Sequence, residues 1–366
     1  MIEFPSAKEF LGWHYQTDLH DISIPQEEKI SGFLKSWITK LTTPETSRDL
    51  FVVDVFHAVA GCIFQEQVLT EEARTAIKSY VSTLWGGKGF RSIHPESPHA
   101  RIMQTSSLPE DLYSTYYSLG LLILAGYGFS EYLDKIREGL GAYLQPSGWA
   151  YNASWTETIE ERRFDIELCQ QALMAVRIAV LVGLDPKALP YSEARKEKIS
   201  GYLLNPRYMT ALFYSIQCLY MINKETKLEE AVKHKIVEFV LAHFSREEGG
   251  FLEYRLEDVK VFYYRGVEGK SAQASHRYQS DFMAASINAT TYALLMASSK
   301  GIDELLEYIK SKKGEISNFF ANQEQGEEGG FGSIVKVAKY SAFFGPRSTA
   351  LESISWHIGR QIISTM

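Results

Sequence analysis

Six stretches of the chain repeat one pattern: an amphipathic helix, a loop that often carries Gly-Gly-aromatic, and a more apolar helix opening on a polar or charged residue. Each hairpin leaves an apolar face that only its neighbours can cover, so the units are expected to stack. Six hairpins closed into a ring make an all-α (α/α)6 toroid around a central apolar cavity. At 366 residues the chain has room for one large domain or two ordinary ones. A continuous array without an evident linker favours a single toroid domain over 1–366.

Outer helices are predicted at 25–42, 69–85, 130–144, 188–203, 226–244 and 301–322. In the fifth, Ala231, Ile236, Phe239, Val240 and Phe244 recur against Glu229, Lys233 and Glu238 with helical period. Inner helices are predicted at 49–66, 111–126, 165–182, 206–222, 281–298 and 346–363. They are apolar nearly all round, as a helix between an outer ring and a lined cavity must be. The loops WGGKGFRS (85–92), QPSGWAY (145–151), EEGGFLEY (247–254) and EEGGFGS (327–333) join outer to inner helices. Glycine permits the tight turn, and the following aromatic (Phe90, Trp149, Phe251, Phe331) is placed to fold back onto its hairpin. The connections 86–110 and 252–280 exceed what capping requires, a length typical of lids and site walls.

A net charge of −7 supplies no basic field, so nucleic acid is not an expected partner. Cys62, Cys169 and Cys218 lie in apolar helical runs without Cys-x-x-Cys spacing, the pattern of reduced, buried thiols. The start, MIEFPSAKEFLGWHYQ, lacks the basic lead and apolar run of a signal peptide, so a cytoplasmic location is expected. No run approaches the ~18 apolar residues of a membrane-spanning helix.

The order of outer helix, Gln/acidic–Gly-Gly-Phe/Trp loop and inner helix resembles the prenyltransferase and squalene–hopene cyclase repeat superfamily. EEGGF at 247–251 and 327–331, QPSGW at 145–149, and the helices DLYSTYYSLGLLILAG (111–126) and NATTYALLMASSKG (288–301) carry it, over most of the chain from residue 25 onward. Protein prenyltransferase β subunits of that superfamily hold zinc with an Asp-x-Cys on one inner helix and a histidine on a later one. The matching segment here is Ser280-Asp281-Phe282-Met283, with a thioether in the thiolate's place, and His357 falls well inside the last inner helix. The resemblance thus disfavours thiol prenylation and implies no metal and no cofactor. Class II terpene cyclases of the superfamily protonate an alkene or epoxide from an aspartic acid in an Asp-x-Asp-Asp-Thr stretch opening an inner helix. The corresponding segment is Asp111-Leu112-Tyr113-Ser114-Thr115, which keeps the first Asp and the Thr. The compact length is most similar to single-domain class II cyclases acting on prenylated aromatic substrates in meroterpenoid pathways.

The resemblance therefore implies a cyclase acting on a polyprenyl or prenylated aromatic small molecule. Asp111 is the candidate general acid, with Tyr113 beside it and Thr115 one turn on. A carboxyl near apolar walls stays protonated because desolvation disfavours its charged form. An N-cap role fits the same Asp111 equally well. Asp165 and Asp281 open other inner helices, and Asp54 lies within the first, three residues before His57. Carbocations call for aromatic faces, and Tyr117, Tyr214, Tyr292, Phe344 and Trp356 are the candidate wall, with Asp54 a polar member. Arg347, and Arg255, Lys260, Arg265 and Arg277 of the long loop, are candidate handles for a polar head group. Tyr254, Phe262, Tyr263, Tyr264 and Tyr278 of that loop suit peripheral contact with a membrane surface. Two alternatives stand beside the cyclase: a transferase using a prenyl diphosphate, and a non-catalytic toroid scaffold.

Overall fold

Amphipathic period and capping chemistry place the expected helices close to their predicted spans, except that the inner helix expected at 281–298 opens only at Ile287, after Ser286. The computed structural model describes residues 4–15, 28–98, 110–144, 146, 148, 161–223, 227–253, 285–298, 302–323, 331 and 350–366, with 161–167 and 352 as backbone only. The α-helices are α1 (Ala7–Tyr15), α2 (Glu28–Leu41), α3 (Pro44–Ser47), α4 (Val52–Phe64), α5 (Glu71–Thr83), α6 (Leu112–Leu124), α7 (Leu133–Leu140), α8 (Glu161–Leu181), α9 (Ser192–Leu204) and α10 (Met209–Ile222). They continue as α11 (Glu230–Ala242), α12 (Ile287–Ser298), α13 (Asp303–Ser311), α14 (Lys313–Ala321) and α15 (Ala350–Thr365). Extended pairing among the described residues is limited to isolated bridges in the hairpin loops.

Besides the short α3, which no expected element covers, two departures have local causes. The predicted outer helix at 301–322 divides at Lys312, whose ψ of 7° leaves the helical region. Gly314, two residues on, weakens helix there. The second departure is α1, a helix absent from the expected set. Its signal is Ser6-Ala7-Lys8-Glu9, a capping box. The Ser6 N–H donates to Glu9 Oε2 at 2.8 Å, and the Glu9 N–H donates back to Ser6 Oγ at 3.3 Å.

The chain packs as two compact units, one of Met1–Ile159, Glu167–Ser200 and Gln217–Thr226, the other of Glu160–Ile166, Gly201–Ile216 and Lys227–Met366. In the first unit α4 packs on α2 and α6, and α5 on α6. The inner helices α4 and α6 are buried nearly all round, down to Ser114, Ser118 and Gly120 on α6. Phe10, Leu11, His14 and Tyr15 of α1 are buried against α4 and α6. In the second unit α12 lies between α13 and α15, and α14 closes on α15.

Candidate active site

The rim where inner helices begin is built by the same bonds in each unit. In the first unit Trp85 and Phe90 form a bridge, and the Phe90 N–H donates to Thr115 Oγ1 at 2.9 Å. The Asp111 N–H then donates to the Phe90 carbonyl at 3.2 Å. In the second unit Phe244 bridges Phe251, the Phe251 N–H donates to Thr290 Oγ1 at 2.9 Å, and the Ser286 N–H donates to the Phe251 carbonyl at 3.0 Å. Two of the loop aromatics fold back, Phe90 4.9 Å from the Trp85 ring and Phe251 5.2 Å from Phe244, while Trp149 lies outside the described residues. The Gly-Gly pair is required by the turn: Gly249 has φ +76°, and a side chain there would meet the Glu315 carbonyl at 2.5 Å.

This repetition fixes what Asp111 does locally. Its Oδ1 accepts the Ser114 N–H at 2.6 Å and its Oδ2 accepts the Ser114 hydroxyl at 2.7 Å, which makes it the N-cap of α6. Ser286 holds the same place in the second unit, its hydroxyl oxygen accepting the Ala289 N–H at 3.0 Å. Asp111 is half-buried. Thr115 reaches it through the backbone, donating its N–H to the Asp111 carbonyl at 3.0 Å, while its hydroxyl serves the loop.

Four of the aromatic candidates fall into two clusters, one in each unit. Tyr113, half-buried, meets the Tyr117 ring at 4.6 Å, and Tyr117 meets Phe56 at 4.8 Å. In the second unit Phe213 stacks on Tyr292 at 4.5 Å and 13°, and half-buried Tyr214 lies 6.1 Å from Tyr292. Trp356 is engaged in packing: its indole N–H donates to the Phe320 carbonyl at 2.8 Å and its ring stacks on Phe331 at 4.3 Å. Asp54 is half-buried in the first turn of α4, and its charge adds to burial in raising the Tyr80 hydroxyl well above its ordinary pKa. Arg347, Phe344, Asp281 and residues 254–280 of the expected 252–280 loop lie outside the described residues, as does the side chain of Asp165.

A buried polar cluster of the first unit escaped the sequence reading. His14 Nδ1 lies 2.7 Å from the Tyr116 hydroxyl, and the Tyr15 hydroxyl lies 2.9 Å from His57 Nδ1. Arg177 of α8 donates from Nη2 to the His14 carbonyl at 2.7 Å and to Gln217 Oε1 at 2.9 Å. Burial pushes His57 down to about 3. It also pushes His14 well below the ordinary histidine value, helped by the charges of Arg177 and His57. Both rings are therefore neutral at neutral pH. The Gln217 and Arg177 signals in sequence are a glutamine and an arginine inside the apolar runs 211–222 and 172–182.

A cavity of about 400 Å³ opens in the first unit at the C-terminal ends of α4 and α6, lined by Phe4, Ile63, Val68, Arg74, Ile123 and Tyr127 among others. It lies at the opposite end of α6 from Asp111. Among the described residues no three His, Cys, Asp or Glu side chains gather as a metal site. Nor is any described helix long and apolar enough to cross a membrane.

No family model and no curated protein matches the chain. Its structure is similar to that of Candida albicans protein geranylgeranyltransferase-I complexed with GGPP, over 91% of this chain and 90% of that one, with a TM-score of 0.52. The fold is that of the prenyltransferase α/α toroids. At 15% identity the likeness is one of fold, and it agrees with the alternation of outer and inner helices expected from the sequence.

Proposed function

We propose that the chain, acting as one toroid domain, is an enzyme that protonates an alkene or epoxide of a polyprenyl or prenylated aromatic substrate and guides the ensuing carbocation cyclisation. The observation that carries this reading is the first unit's inner-helix aromatic cluster, Tyr113–Tyr117–Phe56, on the helix that Asp111 caps. Aromatic faces stabilise positive charge through their quadrupole and, unlike water, do not quench a cation. Asp111 is the general acid in this scheme. Donation leaves a carboxylate that the two Ser114 bonds stabilise, which favours the transfer. Thr115 and Tyr113 hold the rim and the first aromatic face beside it. Tyr117, Asp54, Tyr214, Tyr292, Trp356, Arg347 and Phe344 are the proposed substrate contacts, and peripheral membrane contact by the expected 252–280 loop would give access to lipid-like substrates.

A second reading is prenyl transfer from a diphosphate. It is supported by the fold shared with a geranylgeranyltransferase captured with GGPP. One experiment separates the two. The protein is incubated with polyprenyl diphosphates and prenylated aromatic acids, with and without EDTA, and the products are weighed by mass spectrometry. Cyclisation that ends with the cation losing a proton, which restores the acid, yields an isomer of unchanged mass; transfer yields loss of diphosphate. Full turnover in Asp111→Asn would remove Asp111 from the scheme.

A further inference from the structure

Three arginines of the first unit hold carbonyls at helix C-termini. Arg74 Nε donates to the Ala125 carbonyl after α6 at 2.7 Å, and Arg137 donates from Nε and Nη2 to the Val182 carbonyl after α8 at 2.9 and 2.6 Å. Arg177 does the same for the His14 carbonyl at the end of α1. The first two share further features: each is partly exposed, and each has a carboxylate three residues earlier, Glu71 and Asp134, both at 3.5 Å. Arg177 departs on both counts. It is 3% exposed, Met174 stands three residues earlier, and no carboxylate of a described residue pairs with it.

A guanidinium buried without an anion is costly. Here neutral groups meet its charge: the His14 carbonyl, Gln217 Oε1, and the rings of Tyr116 and Trp13 at 5.2 and 5.8 Å. Two donors are left over. Arg177 Nε and Gln217 Nε2 are both buried without an acceptor, on side chains joined to each other at 2.9 Å.

We propose that Arg177 and Gln217 form a binding site for the carboxylate of an apolar acid, and that α1 is the element that yields when the acid enters. A planar guanidinium edge beside an amide N–H suits an acceptor with two oxygens. One positive charge in an apolar interior matches a monoanion, whereas a diphosphate would bring more negative charge than one arginine offsets there. The surrounding rings, Phe10, Phe56 and Tyr117 around His14, call for an apolar body behind the head group. The acid's oxygen takes the place of the His14 carbonyl, because α1 covers Arg177 and is a helix of only nine residues. The head-group site lies deep in α8 and does not depend on Asp111, although its wall shares Phe56 and Tyr117 with the cluster of the reaction proposed above.

The test uses the full chain, with dodecanoate and the uncharged dodecanol as probes. Trp13, whose ring lies over Arg177, is the reporter, read as the fluorescence difference between the parent and Trp13→Phe. Dodecanoate is expected to shift that signal saturably and to bind at least about tenfold more tightly than dodecanol. Arg177→Gln is expected to weaken dodecanoate by roughly ten- to a hundredfold and to leave dodecanol unchanged. Gln217→Leu removes one donor, keeps the arginine, and is expected to weaken dodecanoate several-fold; it decides the matter if Arg177→Gln does not fold. Equal affinity for the two probes, no saturable Trp13 response to dodecanoate, or parental dodecanoate affinity in Gln217→Leu overturns the proposal.

Discussion

The Phe90 amide is bonded to the Thr115 hydroxyl at 2.9 Å, tying the Gly-Gly-aromatic loop to the first turn of the inner helix it precedes. The Phe90 side chain is wholly buried and Thr115 is 3% exposed, so water does not replace this bond when the hydroxyl is removed. Thr115→Val keeps the shape and orphans a buried N–H. It should cost about 1–3 kcal/mol in urea unfolding, and Thr115→Ser should recover most of that. Equal stability of the Val and Ser variants would show that the bond does not hold the rim.

Asp111 carries two separable duties, capping and, in the proposed reaction, proton donation. Asparagine caps about as well as aspartate, whereas alanine does not. Asp111→Ala should lose about 1 kcal/mol of stability through the Ser114 bonds. Asp111→Asn should keep nearly all of that stability and lose turnover. Thermal melts read the first duty and product mass the second, so each is scored without the other. A fully active, fully stable Asp111→Asn leaves only the cap.

The helices were legible because their apolar positions recur at helical spacing over many turns, as in Ile236 and Val240 of α11 against exposed Glu229 and Glu238. The rim was partly legible. Gly249 and Phe251 announced a turn, but an acidic residue at a helix start reads alike as cap and as acid, and Ser286 in the equivalent cap became visible only in three dimensions. The pairings of the cluster around Arg177 were not legible. Its bonds join residues 102 positions apart in His14–Tyr116 and 163 apart in His14–Arg177, and no local period encodes such pairings. The α1 helix that carries His14 spans nine residues, too few to give a strong periodic signal, although its capping box was there to be read.

Gly249 should be nearly irreplaceable. A residue with a Cβ there is strained by the φ of +76° and would also press on the Glu315 carbonyl, which belongs to the backbone of α14 and cannot rotate away. Gly249→Ala is expected to cost about 1–3 kcal/mol. Gly201→Ala, in α9 with open space around the position, is the control and should be neutral or mildly stabilising in the same unfolding measurement.

Acid should loosen the first unit before its carboxylates begin to titrate. In the unfolded chain a histidine takes up a proton near pH 6.5, whereas folded His57 does so only at about 3, because burial penalises its charged form. Between those values the unfolded state holds more protons, so stability falls as pH drops and is insensitive to this group above roughly pH 7. The slope approaches about 1.4 kcal/mol per pH unit for each such ring. His14, depressed by burial, Arg177 and His57, adds to the slope from the same upper edge, and His357, held at about 4 by burial and Arg360, does so in the second unit. Urea midpoints measured between about pH 7 and 5.5, where aspartate and glutamate remain largely ionised, isolate the histidine contribution. His57→Phe should flatten the slope by about one ring's share while lowering stability at pH 7 through loss of the Tyr15 bond. A parental protein whose stability does not change across that window would mean that these rings are not buried neutral in solution.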